Sequence, residues 1–236
     1  MNVSSTDVAV DLVHTDAWIV VVYKPVGMPV QADRTGDRSL LEVVRTNTGR
    51  PELELVNRID RPVSGLVLLA ERGEALRLLN DQFRERAVEK VYWAIVEGKV
   101  EGIGPHLLEH SLVQDGNANK AVMLDVPHAI KARLHATVLA SGDRYTLVQV
   151  APEGGAFHQI RAQLAAWGHP IKGDVKYGAR RGEKDRSIAL HAQALRFQHP
   201  ITGKELLFRC EPPSGQTLWR ALLEGKDQTG STSVIN

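Results

Sequence analysis

Short runs of β-branched and aliphatic residues, each closed by proline, glycine or polar turn residues, recur along this chain more often than helical periods do, and that bounds its fold. Trp18 to Tyr23 is such a run, ended by Pro25 and Gly27, and reads as a buried strand followed by a turn. Leu66 to Leu69 reads as a second buried strand, and Val91 to Val96 as another that turns at Glu97-Gly98. Lys131 to Ala140 alternates, with Leu134, Ala136 and Val138 facing one way and Arg133, His135 and Thr137 the other. The turn Ser141-Gly142-Asp143 leads into Tyr145 to Val150 and makes an antiparallel hairpin. Ile188 to Gln198 and Glu205 to Glu211, joined around Ile201-Thr202-Gly203, make a last hairpin.

Helical signals are fewer. Ser39 to Arg45 is a short helix with Ser39 as N-cap, and Gly73 to Ala87 sets Leu76, Leu79 and Phe83 on one face. His158 to Trp167 has amphipathic spacing, with Ile160, Leu164 and Trp167 inward and His158 and Arg161 one turn apart on another face. Leu218 to Leu223 reads as a terminal helix. Strands outnumber helices and connections are short, so the expected fold is α+β: a mixed, mainly antiparallel sheet with flanking helices.

A chain of 236 residues with 43% hydrophobic and 24% charged residues is ordinary for a globular protein. No apolar run approaches the roughly 20 residues that cross a bilayer. Met1 to Asp16 lacks the basic stretch and apolar core of a secretory signal. The single cysteine, Cys210, has no internal disulfide partner and sits in an apolar stretch, which suits a buried thiol in a reducing, cytoplasmic setting. Net charge is only +1, so any nucleic-acid contact depends on local clusters. Candidates are Arg84 with Arg86, Lys172 with Lys176, and Arg180-Arg181 with Lys184 and Arg186; a solvated loop is the bland account of the last group. No composition break marks a second domain. Residues 1–16 read as a short extension, 17–226 as one domain and 227–236 as a polar tail, with no sign of an obligate partner, hence a monomer.

Chemistry concentrates in Val56-Asn57-Arg58-Ile59-Asp60-Arg61-Pro62-Val63-Ser64-Gly65, which runs directly into the Leu66 strand. One carboxylate stands between two arginines on a turn held by a rigid strand. Positive charge on either side favours an ionised carboxylate, fit for a nucleophile or general base. By residue type alone, a surface Arg–Asp–Arg cluster is equally open.

The order of residues in this segment resembles the His-Arg-Leu-Asp-Arg-x-Thr-Ser-Gly motif of RluA-type pseudouridine synthases. Tyr23-Lys24-Pro25-Val26-Gly27 and Lys90-Val91-Tyr92-Trp93-Ala94-Ile95-Val96-Glu97-Gly98 are similar to two further family elements. His158-Gln159-Ile160-Arg161, Gly168-His169-Pro170-Ile171, Gly173-Asp174 and Tyr177-Gly178 match the long third motif. Leu190-His191-Ala192 and His199-Pro200-Ile201-Thr202-Gly203 match the closing hairpin, so the resemblance runs in family order from about residue 18 to residue 213. The layout is that of a catalytic domain without an S4-type RNA-binding module, as in the tRNA pseudouridine synthase C-like members.

The resemblance implies an isomerase that converts uridine to pseudouridine in structured RNA, tRNA or rRNA, with no cofactor and no metal. It places Asp60 at the ribose, either attacking the sugar or removing a proton from it, with Arg161 paired to it. It places Tyr92 as the ring that stacks on the flipped uracil; alternation along the strand sends Tyr92 and Trp93 to opposite faces. Arg58 would fill the gap left by the extruded nucleotide, Arg61 would support the loop or a phosphate, and His158 and Gln159 would lie beside the substrate. Asn57, Pro62-Val63, Ala156 and Gln163 depart from the family pattern and bear on substrate choice.

Two rivals stand beside this reading. One is a noncatalytic RNA-binding protein of the same shape. The other is a zinc hydrolase, because His106-Leu107-Leu108-Glu109-His110 is a literal His-x-x-Glu-His. That pattern needs a helix, and Gly102, Gly104 and Pro105 instead indicate a loop that opens a strand.

Overall fold

The computed structural model describes residues 10–102 and 104–228. In chain order these form β1 (Leu12–Thr15), β2 (Ile19–Lys24), α1 (Leu40–Thr48), β3 (Leu53–Leu55), β4 (Ser64–Glu71), α2 (Glu74–Arg84), β5 (Glu89–Glu97), β6 (His106–Asp115) and β7 (Lys120–Met123). There follow β8 (Ile130–Ser141), β9 (Tyr145–Pro152), α3 (Gln159–Ala166), a single 3-10 turn (Val175–Tyr177), β10 (Leu190–Gln198), β11 (Glu205–Arg209) and α4 (Thr217–Gln228).

All eleven strands join one sheet in the order β1-β2-β4-β10-β5-β9-β8-β6-β7, with β3 added to β4 and β11 to β10. The β4–β10 pairing is parallel and the other described pairings are antiparallel, which is the expected mixed α+β sheet. The central strands are covered on both faces. Val20, Val22, Val67 and Leu69 enter the main core, while Ile19, Val21, Leu66 and Leu68 pack on the opposite side with Ala75 and Leu79 of α2. Two covered faces explain why β2 and β4 read as continuous apolar runs rather than alternating ones.

Gly65 makes the parallel pairing possible. It has φ +121°, and a Cβ there would lie 2.6 Å from the Ala192 nitrogen on β10. The Ser39 cap is present as expected: its hydroxyl accepts from Glu42 N, and the Glu42 carboxylate accepts from Ser39 N in return. No helix among the described residues is long and apolar enough to cross a membrane.

Several boundaries differ from the sequence expectation. β1 lies inside the segment read as a short extension and pairs with β2. β3 and β7 carry too few residues for a period to show. The alternation of β8 holds through Ala136, then an irregularity between Val138 and Ala140 leaves Val138 half-buried and buries Leu139 and Ala140 in succession. α4 runs to Gln228, two residues into the segment read as a polar tail; residues 229–236 lie outside the described residues. α3 is not amphipathic. Gln159 through Leu164 are all buried, because β6, β7 and the 3-10 turn close over the helix face that would otherwise be wet, and Trp167 beyond it is half-buried.

No group of metal-ligating residues occurs among the described residues, and the His106–His110 pattern does not form a zinc site in this fold. Both histidines sit on strand β6, where four residues span about 13 Å. His106 packs on Trp167 with ring centroids 4.8 Å apart, and His110 Nδ1 lies 3.2 Å from Gln163 Nε2.

Candidate active site

Asp60 sits on the turn between β3 and β4, and this turn is pinned from beneath. The Val63 amide donates to the Asp60 carbonyl at 3.0 Å, and the Arg61 carbonyl accepts from Gly27 N at 2.9 Å. Lys24, fully buried at the end of β2, donates through Nζ to the carbonyls of Arg61 at 3.2 Å, Met28 at 2.9 Å and Pro25 at 2.8 Å. Burial pulls the Lys24 ammonium down to about 7, with the Asp60 charge opposing and the Arg61 charge adding to the shift. Three carbonyls match the three hydrogens of an ammonium. Lys24 thus holds the loop that carries Asp60, which residue type alone does not show, since a lysine before proline at a strand end looks like a surface residue.

The two arginines that flank Asp60 in sequence do not hold it. Arg61 turns to the neighbouring loop, where its guanidinium meets Asp33 at 3.1 Å, Thr35 at 2.8 Å, and Asp37. Arg58 is exposed at the edge of the cleft. The cation on Asp60 is Arg161 from α3, whose Nη1 donates to Asp60 Oδ2 at 2.9 Å, as the resemblance implied. Asp60 Oδ1 has no hydrogen bond among the described residues, and Asp60 lines the cleft described below.

Arg161 is itself buried, 6% exposed, and burial of that kind requires a counter-charge. Asp174, 2% exposed, supplies it: Arg161 Nε donates to Asp174 Oδ2 at 2.7 Å and Nη2 to Asp174 Oδ1 at 2.8 Å. These bonds, with the Asp60 charge, raise the guanidinium against the opposing effect of burial. The second Nη1 hydrogen points to His158 Nε2, 3.0 Å away, so that nitrogen is an acceptor and the proton of the ring resides on Nδ1, which lies 3.0 Å from the Tyr177 hydroxyl. His158 is therefore neutral; burial pulls it down to about 4. The Tyr177 hydroxyl also accepts from Ala121 N on β7 at 2.7 Å, which ties the β6–β7 hairpin to this wall.

These groups face a cleft of about 490 Å³ whose walls include Arg58, Asp60, Tyr92, Phe157, His158 and Arg161. Tyr92 reaches it from β5, while Trp93 goes to the core, as strand alternation requires. Burial, and then the charge of Asp60, raise the Tyr92 phenol well above its usual value, so its ring is neutral. Gln159 is spent on protein: its Nε2 donates to Arg133 O at 2.9 Å and its Oε1 accepts from Ala156 N at 3.2 Å. Asn57 Oδ1 likewise accepts from Leu68 N at 2.7 Å. Of the basic clusters, Lys172 is ion-paired to Glu183 and Arg84 to Asp81, whereas Arg86, Lys176, Arg181, Lys184 and Arg186 are exposed with no carboxylate partner among the described residues. Cys210 is half-buried rather than buried, and burial pushes its thiol up to about 12.

Residues 18–166, more than half of the chain, match the family model described as RNA pseudouridylate synthase. The chain is 33% identical over 229 residues to the ribosomal large subunit pseudouridine synthase C of Escherichia coli (strain K12), spanning 89% of this chain and 68% of that protein. The chain belongs to the RNA pseudouridylate synthase family. A family member of similar extent is the tRNA pseudouridine synthase C of Salmonella typhi, 32% identical over 95% of this chain and 96% of that protein. The pseudouridine synthase fold is shared with the solved human RNA pseudouridylate synthase domain containing 4, with TM-score 0.71 and 25% identity over 90% of this chain and 92% of that one. Human RNA pseudouridylate synthase domain containing 1 has the same fold, with TM-score 0.75 and 23% identity over 92% and 89% of the two chains. As a pseudouridine synthase the protein is an isomerase, and the RluA-type resemblance read from its motifs holds. The matched span takes in Asp60, Tyr92 and Arg161 and ends before Asp174 and Tyr177.

Proposed function

We propose that this protein isomerises specific uridines in tRNA or rRNA to pseudouridine, with Asp60 acting on the ribose of a nucleotide flipped into the cleft. The observation that carries the reading is the Arg161 Nη1–Asp60 Oδ2 bond of 2.9 Å at a cleft also lined by Tyr92. The N1–C1′ bond breaks, positive character develops at C1′, and the unbonded Oδ1 of Asp60 is the anionic group to meet it, by attack at the sugar or removal of a sugar proton. The uracil turns and rejoins C1′ through C5, which breaks the Asp60–sugar bond in the first case and is accompanied by return of the sugar proton in the second; the C5 hydrogen leaves as a proton and N1 takes one up. Atoms and electrons balance without oxidation or hydrolysis, so the reaction is complete without metal or cofactor.

In this reading the neutral Tyr92 ring stacks on the extruded uracil. Arg58, exposed at the rim, enters the space the nucleotide leaves, and His158 orients Arg161. Arg61 and Gln159 act indirectly, by holding the loops that carry Asp60 and Ala156. The protein acts as a monomer on its RNA. Both rRNA and tRNA appear in the names of relatives of nearly equal identity, so the target class is an experimental matter. Pseudouridine mapping across tRNA and rRNA of a strain lacking the protein is expected to lose a site that the wild-type gene restores and an Asp60→Asn gene does not. Unchanged maps in both RNA classes would overturn the assignment, as would full restoration by Asp60→Asn.

A further inference from the structure

The carboxylate that Arg161 grips most firmly is not the one at the substrate. An aspartate at the start of a helical turn ordinarily turns its side chain back onto the first amides. Asp174 opens the 3-10 turn Val175–Tyr177 and makes no such bond. Both of its oxygens go to Arg161 instead, at 2.7 and 2.8 Å.

Its backbone is fixed for this purpose. Asp174 N donates to Ile171 O at 2.9 Å, and Asp174 O accepts from Tyr177 N at 3.0 Å and Ala179 N at 3.1 Å. Gly173 just before it has φ +89°, and a Cβ there would lie 2.8 Å from the Ser187 carbonyl oxygen. Only glycine allows the chain to pass Ser187 and still aim Asp174 at α3.

We propose that Asp174 is a positioning residue for the isomerisation: its buried carboxylate clamps the Arg161 fork so that Nη1 alone is presented to Asp60 and His158. The proposal rests on the reading that Asp60 acts on the ribose. Two parallel bonds fix the plane of a guanidinium, and Arg161 has five N–H groups in rigid relation. With Nε and one Nη2 hydrogen committed to Asp174, the two Nη1 hydrogens are aimed at Asp60 Oδ2 and His158 Nε2. Charge follows the same division. Asp174 neutralises the buried Arg161, so Asp60 is oriented by a single bond yet keeps its charge for the sugar. Without Asp174 the fork is free to close on both oxygens of Asp60 and occupy the one that faces the cleft.

The test uses the full-length protein and an unmodified transcript of the RNA identified by mapping. Single-turnover rate at saturating RNA, RNA affinity and thermal midpoint are measured for wild type, Asp174→Glu, Asp174→Asn, Arg161→Ala, the Arg161→Ala/Asp174→Asn double variant, and Asp60→Asn. Asp174→Glu keeps the buried charge pair, so it is expected to fold, yet its extra methylene shifts the guanidinium by about 1 Å and lowers the rate about 100-fold. RNA affinity is expected to change less than about threefold. In the Arg161→Ala background, Asp174→Asn is expected to cost no more than about threefold further, because a residue that acts through another adds nothing once that other is gone. A purely structural carboxylate would lower both backgrounds alike. Asp174→Glu retaining more than about a third of the wild-type rate, or losses that multiply in the double variant, would overturn the proposal. Asp60→Asn at the wild-type rate would instead sink the reading of the whole site, and an inactive Asp60→Asn beside a fully active Asp174→Glu would sink only this inference.

Discussion

Arg161 meets Asp60 through one hydrogen bond of 2.9 Å and Asp174 through two, of 2.7 and 2.8 Å. The arginine is thus a bracket between a fully enclosed carboxylate and one at the substrate cleft. Lysine carries the charge but cannot serve both. Arg161→Lys is expected to lower the single-turnover rate about 100-fold or more while RNA affinity and its salt dependence stay near wild type. Near-normal turnover, or a shallower salt slope in Arg161→Ala, would reassign Arg161 to the RNA backbone.

The neighbours of Asp60 in sequence separate by their partners. Arg61 is committed to Asp33, Thr35 and Asp37, whereas Arg58 is exposed at the cleft with no carboxylate on it among the described residues. Arg58→Ala is expected to lower the salt slope of RNA binding by about one unit, and Arg61→Ala to leave it unchanged. Binding titrations across a salt series read this directly, and equal slopes for both variants would contradict the division.

Two histidines, His191 buried and His158 half-buried, bear on the acid stability of the fold. Burial pulls both His158 and His191 down to about 4; His191 is enclosed between Ser64 and the Cys210 carbonyl, whose hydrogen bond works against the shift. The unfolded chain binds protons at these sites from about pH 6.5 downward, where the folded chain does not. Their contribution is therefore complete above that pH and is lost as pH falls toward about 4, at most about 3 kcal/mol each. Urea unfolding at a series of pH values is expected to show this slope, reduced in His191→Gln; a flat profile in wild type would refute it.

The parallel β4–β10 contact is a sterically exact fit. Gly65→Ala forces a Cβ against the Ala192 backbone at a positive φ and is expected to cost roughly 2–4 kcal/mol of stability. Denaturant midpoints test this, and a loss under about 0.5 kcal/mol would show that the two strands part without strain.

What was legible in the sequence was local or motif-borne. Continuous apolar runs marked β2 and β4, Ser39 as N-cap marked the start of α1, and residue order placed Asp60, Tyr92 and Arg161 at one cleft. What was hidden was long-range. Nothing near Arg61 announces that Asp33 and Asp37 take its charge, and the cation on Asp60 is Arg161 rather than either flanking arginine. Gly173-Asp174 is visible as a motif, but its bond to α3 appears only when the chain folds back over the 13 positions that separate Arg161 from Asp174. Lys24 and the polar face of α3 mislead for one reason: a charge buried by tertiary contacts looks, in sequence, like a charge in water.

The most direct test of the account is the single-turnover conversion of uridine to pseudouridine by purified wild type and Asp60→Asn on the mapped RNA, with binding measured in parallel. Asparagine keeps the shape of the side chain and removes its charge. The account predicts that Asp60→Asn binds the RNA within about threefold of wild type and converts none of it within many wild-type half-lives. Conversion at more than a few per cent of the wild-type rate would contradict the assignment of Asp60 as the group that acts on the ribose.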